Sequence, residues 1–235
     1  MQFIIEDAFR DRFPEAAIGL VVANGIDNRQ GAKEAAEGLA AANAWAETLL
    51  GDADLATHPA ISPWREAYRR FGRKPSRYRS SIEGLLRSAR AGGVRGINPL
   101  VDLYNSVSLR YLLPCGGEDL AAIAGDLRLT LAKGGESFVP LDSVEEQPPS
   151  AGEVVYADDL GIVCRAWNWR EADRTKLTVD TSRAVLVIEA LPPRSLDDVR
   201  AACDELAALV TAHLGARCRV ALLGGNGVTT ASLDD

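Results

Sequence analysis

The sequence predicts an α+β protein in which helices pack on mixed, largely antiparallel β-sheets. Three observations carry that expectation. Apolar residues recur at helical spacing through residues 30–111, two-residue alternation takes over after Pro114, and residues 184–190 form an apolar run broken only by Glu189. A run of that kind is the pattern of a strand buried on both faces. The 235 residues are enough for a sizeable core, expected as a single domain over 1–235, and 47% hydrophobic with 25% charged content is ordinary for a globular chain.

Taken in order, the start Met1-Gln2-Phe3-Ile4-Ile5-Glu6-Asp7 has no basic n-region and no long apolar run. This predicts no signal peptide, no membrane span and a cytoplasmic location. Residues 1–59 are expected to supply an N-terminal strand and helix: the strand is the apolar run 16–23, closed by Asn24-Gly25, and the helix is 30–50, with Leu39, Trp45 and Leu49 at helical intervals and Gly51 at its end. Ser62 is placed to cap a helix begun by Pro63 and stopped by Gly72. Pro75 or Ser76 opens another, through Ile82, Leu85 and Leu86 to Gly92-Gly93.

Asn98 then caps a helix whose first residue is Pro99. Leu100, Leu103, Tyr104, Val107 and Tyr111 form its apolar stripe, while the other face carries Asp102, Asn105 and Ser106 between Val101 and Leu109. Short polar groups among apolar ones mark a covered face, and they need partners in the protein or in a ligand.

After Pro114, residues 127–132 alternate, 137–141 continue beyond Gly134-Gly135, and 145–152, with Pro148-Pro149, read as a loop. Residues 154–157, 161–169 and 176–180 read as further strands, followed by 184–190 up to Pro192-Pro193. Residues 195–214 form an amphipathic helix with Val199, Cys203, Leu206, Leu209 and Val210 inward, 219–223 form a last strand, and 224–235 read as a flexible tail.

Cys115, Cys164, Cys203 and Cys218 lie far apart without a C-x-x-C pair, and His58 and His213 stand alone. Nothing in that spacing points to a metal or a disulfide framework, and no phosphate-binding glycine loop or nucleophile elbow points to a cofactor or a covalent mechanism.

The net charge of −7 argues against nucleic acid, but its distribution reverses the argument. Arg65, Arg69, Arg70, Arg73, Lys74, Arg77, Arg79, Arg87, Arg90 and Arg95 crowd one segment in which the acids are Glu66 and Glu83. With Trp64, Tyr68, Phe71 and Tyr78 among them, the arginines suit phosphates of a structured RNA, although Trp64, Tyr68 and Phe71 share a helical face that also suits a core. In Arg165-Ala166-Trp167-Asn168-Trp169-Arg170 a strand would set Trp167 and Trp169 side by side, either as a pocket wall or as core. Glu189 in its apolar strand must meet either an arginine, Arg183 or Arg165, or a ligand.

The order Gly96-Ile97-Asn98-Pro99-Leu100-Val101-Asp102-Leu103-Tyr104-Asn105-Ser106-Val107, then Pro114, then Val185-Leu186-Val187-Ile188-Glu189-Ala190-Leu191-Pro192, resembles the B3/B4 domain, the tRNA-editing domain of the phenylalanyl-tRNA synthetase beta subunit. The likeness covers about residues 60–215. It implies a B3/B4-like fold and an aminoacyl-tRNA deacylase acting in trans, with the aminoacylated acceptor end of tRNA as partner; the sequence predicts no membrane partner and identifies no stable protein partner. It further implies an amino acid pocket at Asn98, Asp102, Asn105 and Glu189; the residue pattern itself adds Trp167 and Trp169 as pocket wall and Arg65, Arg69, Arg70, Arg73, Lys74, Arg77 and Arg79 as the tRNA-binding groups. Past Pro114, where the synthetase domain usually carries a histidine, this chain reads Cys115-Gly116-Gly117-Glu118. A tRNA-binding module without catalysis and a small-molecule pocket protein are the alternatives.

Overall fold

The structure, a computed structural model, describes every residue except Asp52, Asn226 and Asp235. Its strands are β1 (Gln2–Ile5), β2 (Ala17–Asn24), β3 (Cys115–Asp119), β4 (Leu127–Leu131), β5 (Val154–Ala157), β6 (Ile162–Arg165), β7 (Arg170–Glu171), β8 (Arg183–Ala190), β9 (Arg217–Gly224) and β10 (Thr230–Ser232). Its helices are α1 (Asp7–Arg12), α2 (Ala32–Leu50), α3 (Ser62–Arg70), α4 (Ser81–Arg90), α5 (Pro99–Tyr111) and α6 (Leu196–Leu214). No helix among the described residues is long and apolar enough to cross a membrane.

The strands form a four-stranded sheet ordered β3-β8-β2-β9 and a six-stranded sheet ordered β10-β1-β4-β5-β6-β7. Every ladder is antiparallel except β1 with β4. The fold is therefore α+β with mixed, largely antiparallel sheets, as the sequence predicts. Because side chains alternate along β2 and β8, Ile18, Leu20, Val22, Val185 and Val187 share a core with Phe3, Leu127, Tyr156 and Val163 of the larger sheet. Val21, Leu186 and Ile188 face the other way, onto Leu103, Val107, Cys203 and Val210 of α5 and α6. Glu189 and Glu118 fall on the face between the sheets, since Glu118 pairs with Val185 and Gly116 with Val187.

Helix α5 is buried on both sides: its residues 99–109 are all inaccessible. The Asn98 side chain caps it, accepting from the Val101 N–H at 3.1 Å. The face of α2 that packs inward is made of Ala35, Leu39, Ala42, Ala46 and Leu50, so Trp45 and Leu49 stay 42% and 47% exposed. Small residues let α2 lie close along α5, which a tryptophan at the contact would prevent.

Several boundaries depart from the sequence pattern for identifiable reasons. Ser62 lies inside α3 rather than capping it. Helix α4 begins at Ser81 instead of Pro75 or Ser76, because Ser80 is the cap, its hydroxyl accepting from the Glu83 N–H. Residues 137–141 contribute one bridge, Pro140 to Ala172, rather than a strand. Residues 176–180 make no ladder, since side chains take their carbonyls: Asn98 donates to Leu177 and Asn28 to Thr178. The expected strand over 161–169 stops at Arg165 and turns back through residues 166–169 into β7. Of the expected tail, Thr230–Ser232 pair with β1 and Leu233 is buried; Asn226 and Asp235 lie outside the described residues.

Gly19 of β2 sits directly under α6, where a Cβ would collide with Cys203 Sγ and Val199 Cγ1. Gly19→Ala is expected to lower stability by about 1–3 kcal/mol through overpacking, read as a lower denaturant midpoint with an unchanged slope.

Candidate functional site

Between the sheets lies a cavity of about 270 Å³, walled by Cys115, Gly116, Glu118, Tyr156, Trp167, Asn168, Trp169, Glu171, Val187 and Glu189 among others. Glu189, 3% exposed, is held by neutral donors alone. The Tyr156 hydroxyl and Trp167 Nε1 donate to its Oε1, the latter at 2.6 Å, and Asn168 Nδ2 donates to Oε2 at 2.6 Å. Burial pushes the Glu189 carboxyl up to about 7 against the pull of those hydrogen bonds. Burial and the neighbouring Glu189 charge raise Tyr156 far above the usual phenol range, so it remains a neutral donor. The sequence allowed Glu189 an ion pair with Arg165 or Arg183; instead Arg165 binds Glu153 and Arg183 donates to Asn24.

The turn after β6 sets the two donors that the sequence pattern misplaced. Ala166 and Trp167 adopt φ of 45° and 66°, strained for residues with side chains. The strain persists because the Trp167 ring is wedged against Phe9, Phe13 and Trp64 at centroid distances of 4.9, 4.8 and 5.0 Å. Trp167 and Trp169 thus do not stand side by side on a strand. Trp167 is a core ring with only its N–H and edge toward the cavity, whereas Trp169 is half-buried and packs edge-on against Tyr78 at 4.6 Å.

A second hollow adjoins the first and shares Ser81, Cys115, Trp169 and Glu171 with it. Its other walls include Arg77, Arg79, Tyr104 and Asn105. Of the helix residues named from sequence, Asn105 therefore reaches a hollow, but Asn98 and Asp102 line neither. Asn98 is occupied with Asn28, Val101 and Leu177, and Asp102 accepts from the Ile97 N–H at 2.8 Å. Both organise the start of α5.

The arginine-rich segment is also more engaged than its composition implies. Arg65 and Arg87 both pair with fully buried Glu83, at 2.8 and 3.0 Å. Arg73 joins Arg165 on buried Glu153, Arg70 pairs with Glu15 at 2.5 Å, and Arg69 pairs with Glu66 at 3.0 Å. Burial pushes the Glu153 carboxyl up, but its two arginines outweigh that and hold it below the usual range. Among the described residues Lys74, Arg77 and Arg79 are exposed and make no ion pair, and two of them border the second hollow.

Sequence reasoning named Glu189 and both tryptophans but missed Tyr156, Asn168, Glu118, Glu171 and Ser81 as cavity walls. Only the Gly116-Gly117 pair beside Glu118 hinted at space there: a Cβ at position 116 would stand 2.9 Å from Glu171 Oε1. Burial drives the Cys115 thiol far above its usual range, which removes it as a thiolate nucleophile. Among the described residues no group of His, Cys, Asp and Glu is arranged to hold a metal.

Parts of this chain are similar to known proteins. The beta subunit of phenylalanine–tRNA ligase from Shewanella oneidensis is 39% identical over 70 residues, which is 30% of this chain and 9% of that protein. The same subunit from Nocardia farcinica is 42% identical over 74 residues, 32% of this chain and 9% of that protein. The matched stretch is thus a small part of those relatives. An N-terminal fragment of the phenylalanyl-tRNA synthetase beta subunit from Pyrococcus horikoshii aligns over 92% of this chain and 50% of its own length, with 14% identity and a TM-score of 0.46. The model of the B3/4 domain matches residues 63–215, well over half of the sequence, and the chain therefore belongs to the B3/4 domain family.

Proposed function

We propose that this protein hydrolyses the ester joining a wrongly attached amino acid to tRNA, acting in trans. The observation that carries the reading is Glu189, a buried carboxyl met only by neutral donors on the wall of a cavity that adjoins an arginine-edged hollow. That the relatives are tRNA ligase subunits by name supports a tRNA substrate.

In this reading the amino acid side chain enters the cavity against Trp169, Val187 and the edge of Trp167, and Glu189 reads a polar group on it. Asn105 borders the neighbouring hollow, where Arg77 and Arg79, with Lys74 nearby in sequence, hold phosphates of the acceptor end. Arg65, Arg69, Arg70 and Arg73 serve the fold and the field rather than direct contact. Water attacks the ester carbonyl, the bond to the ribose oxygen breaks, and that oxygen takes the proton the water gives up. The ester is already activated, so holding water and carbonyl together supplies most of the acceleration, with the substrate's own amine or hydroxyl assisting. A second reading, tRNA binding without hydrolysis, is favoured by one observation, the stretch Cys115-Gly116-Gly117-Glu118 where the synthetase domain usually carries a histidine.

Purified protein given a panel of misacylated tRNAs is expected to release amino acid above the buffer rate from at least one. Salt-sensitive tRNA binding with no release from any would establish the second reading instead. Arg77→Glu combined with Arg79→Glu is expected to weaken tRNA binding by about tenfold or more and to reduce its salt slope by about two ions.

Glu189 gives a separate, pH-resolved expectation. Its folded carboxyl keeps a proton up to about pH 7, whereas an ordinary glutamate releases it near 4.5, so the folded state binds more protons in that window. Stability then falls as pH rises through it. Unfolding of Glu189→Gln, followed across the same range, is expected to show a shallower decline than the wild type; parallel profiles would remove Glu189 as the titrating group.

A further inference from the structure

Glu189 is one of three glutamates on the cavity wall, and the other two have no role in the reading above. Glu118 lies on β3, four residues along the strand from the level of Glu189, or about 13 Å at the usual rise. It is 5% exposed, and its Oε2 is buried without any hydrogen-bond partner. Glu171 of β7 stands between the two ends: its Oε1 lies 2.9 Å from where a Cβ of Gly116 would be, and it belongs to the walls of both hollows. Ser81 Oγ, on the same shared wall, is also buried without a partner.

An unpartnered buried carboxyl oxygen, on a residue that lines a cavity, is an unmet demand for a donor. Among the described residues no cation meets it, and Oε2 is without a hydrogen bond. Arg174, the cation whose charge acts on Glu118, is committed to Asp158 at 2.6 and 2.9 Å. The Thr175 hydroxyl pulls in the same direction, more than Arg174 does, but it too is left without a hydrogen bond. Arg170 lines the cavity from an exposed position. Burial raises both carboxyls, Glu171 to about 7 and Glu118 well above its usual range, and the Glu171 charge adds to the cost of ionising Glu118. Two acids in one hollow with no internal cation are matched by a donor that brings positive charge.

We propose that Glu118 and Glu171 form an ammonium subsite, taking a charged amino group of the amino acid bound in this cavity. The subsite rests on reading the cavity as an amino acid pocket, and it names the substrate's cationic group as a determinant of binding separate from Glu189. The ammonium belongs either to the α-carbon or to a basic side chain, and in both cases it donates to Glu118 Oε2 and the Glu171 carboxylate.

Binding of four probes distinguishes these sources: L-lysine, Nα-acetyl-L-lysine, L-norleucine and Nα-acetyl-L-norleucine, titrated into the full chain by calorimetry and by the fluorescence of Trp167 and Trp169. The last probe carries no ammonium and is expected to bind at least about tenfold more weakly than the best of the others, the loss expected for one charge-assisted hydrogen bond. Retained affinity in norleucine assigns the α-ammonium; retained affinity in Nα-acetyl-lysine assigns a side-chain amine. Glu118→Gln with Glu171→Gln is expected to erase the difference. Wild-type binding of the ammonium probes is expected to strengthen as pH rises through about 7, where Glu171 ionises, with Glu118, Glu189, Asp158, Tyr104, Cys115 and Cys164 the other titratable groups around it. That arm needs no variant to fold. Equal binding of all four probes, no binding of any below about 10 mM, or a preference that survives the double substitution would overturn the subsite. Ester hydrolysis is a separate readout: failure to cleave with ammonium binding intact removes the deacylase alone, and cleavage without ammonium preference removes the subsite alone.

Discussion

The structure depends on satisfying one carboxyl between two sheets. Glu189 stands in β8, a strand buried from Ala184 to Ala190, where an unmatched carboxylate would cost several kcal/mol. All three of its donors come from the opposite sheet: Tyr156 from β5, and Trp167 and Asn168 from the turn after β6. The contact therefore fixes the two sheets relative to each other as well as neutralising a burial penalty. It also explains the strained backbone at Trp167, whose ring is clamped by three aromatic neighbours while its N–H is aimed at Glu189.

The same accounting governs the arginines. Glu83 and Glu153 have fully buried side chains, and each draws two guanidinium groups: Glu83 those of Arg65 on α3 and of Arg87 on its own helix, Glu153 those of Arg73 and Arg165. Glu83 joins α3 to α4, and Glu153 joins the residues after α3 to β6. Removing one partner from such a cluster leaves a buried charge, so these pairs hold the helical layer against the sheets with high stakes. Among the described residues of that segment, Lys74, Arg77, Arg79, Arg90 and Arg95 are the basic side chains outside ion pairs, and Arg77 and Arg79 are the two that border the second hollow.

The cavity exists because side chains are missing where the sheets would otherwise touch. Gly116 sits opposite Val187 in the β3–β8 ladder, and its absent side chain leaves the volume that the Glu171 carboxyl approaches. The family match begins at residue 63, yet β2, well before it, lies between β8 and β9 in the smaller sheet. The sheet that carries Glu189 is thus completed by sequence outside the recognisable stretch.

Local chemistry wrote much of this into the sequence. The Asn98-Pro99 start of α5, its burial on both faces, the Ser195 cap of α6 and the central place of β8 all follow from caps and periodicity, which act over a few residues. The motif around α5 and the Val185-to-Pro192 run was enough to point to the family. Partnership across the fold was not legible. That Asn98 and Asp102 serve a helix start, that Trp167 belongs to the core, and that Glu15 and Glu153 claim arginines 55 and 80 residues away were settled only when the sheets stacked. The physical reason is that a side chain's type fixes what it must bond, whereas burial and the tertiary packing decide which partner is close enough to bond it.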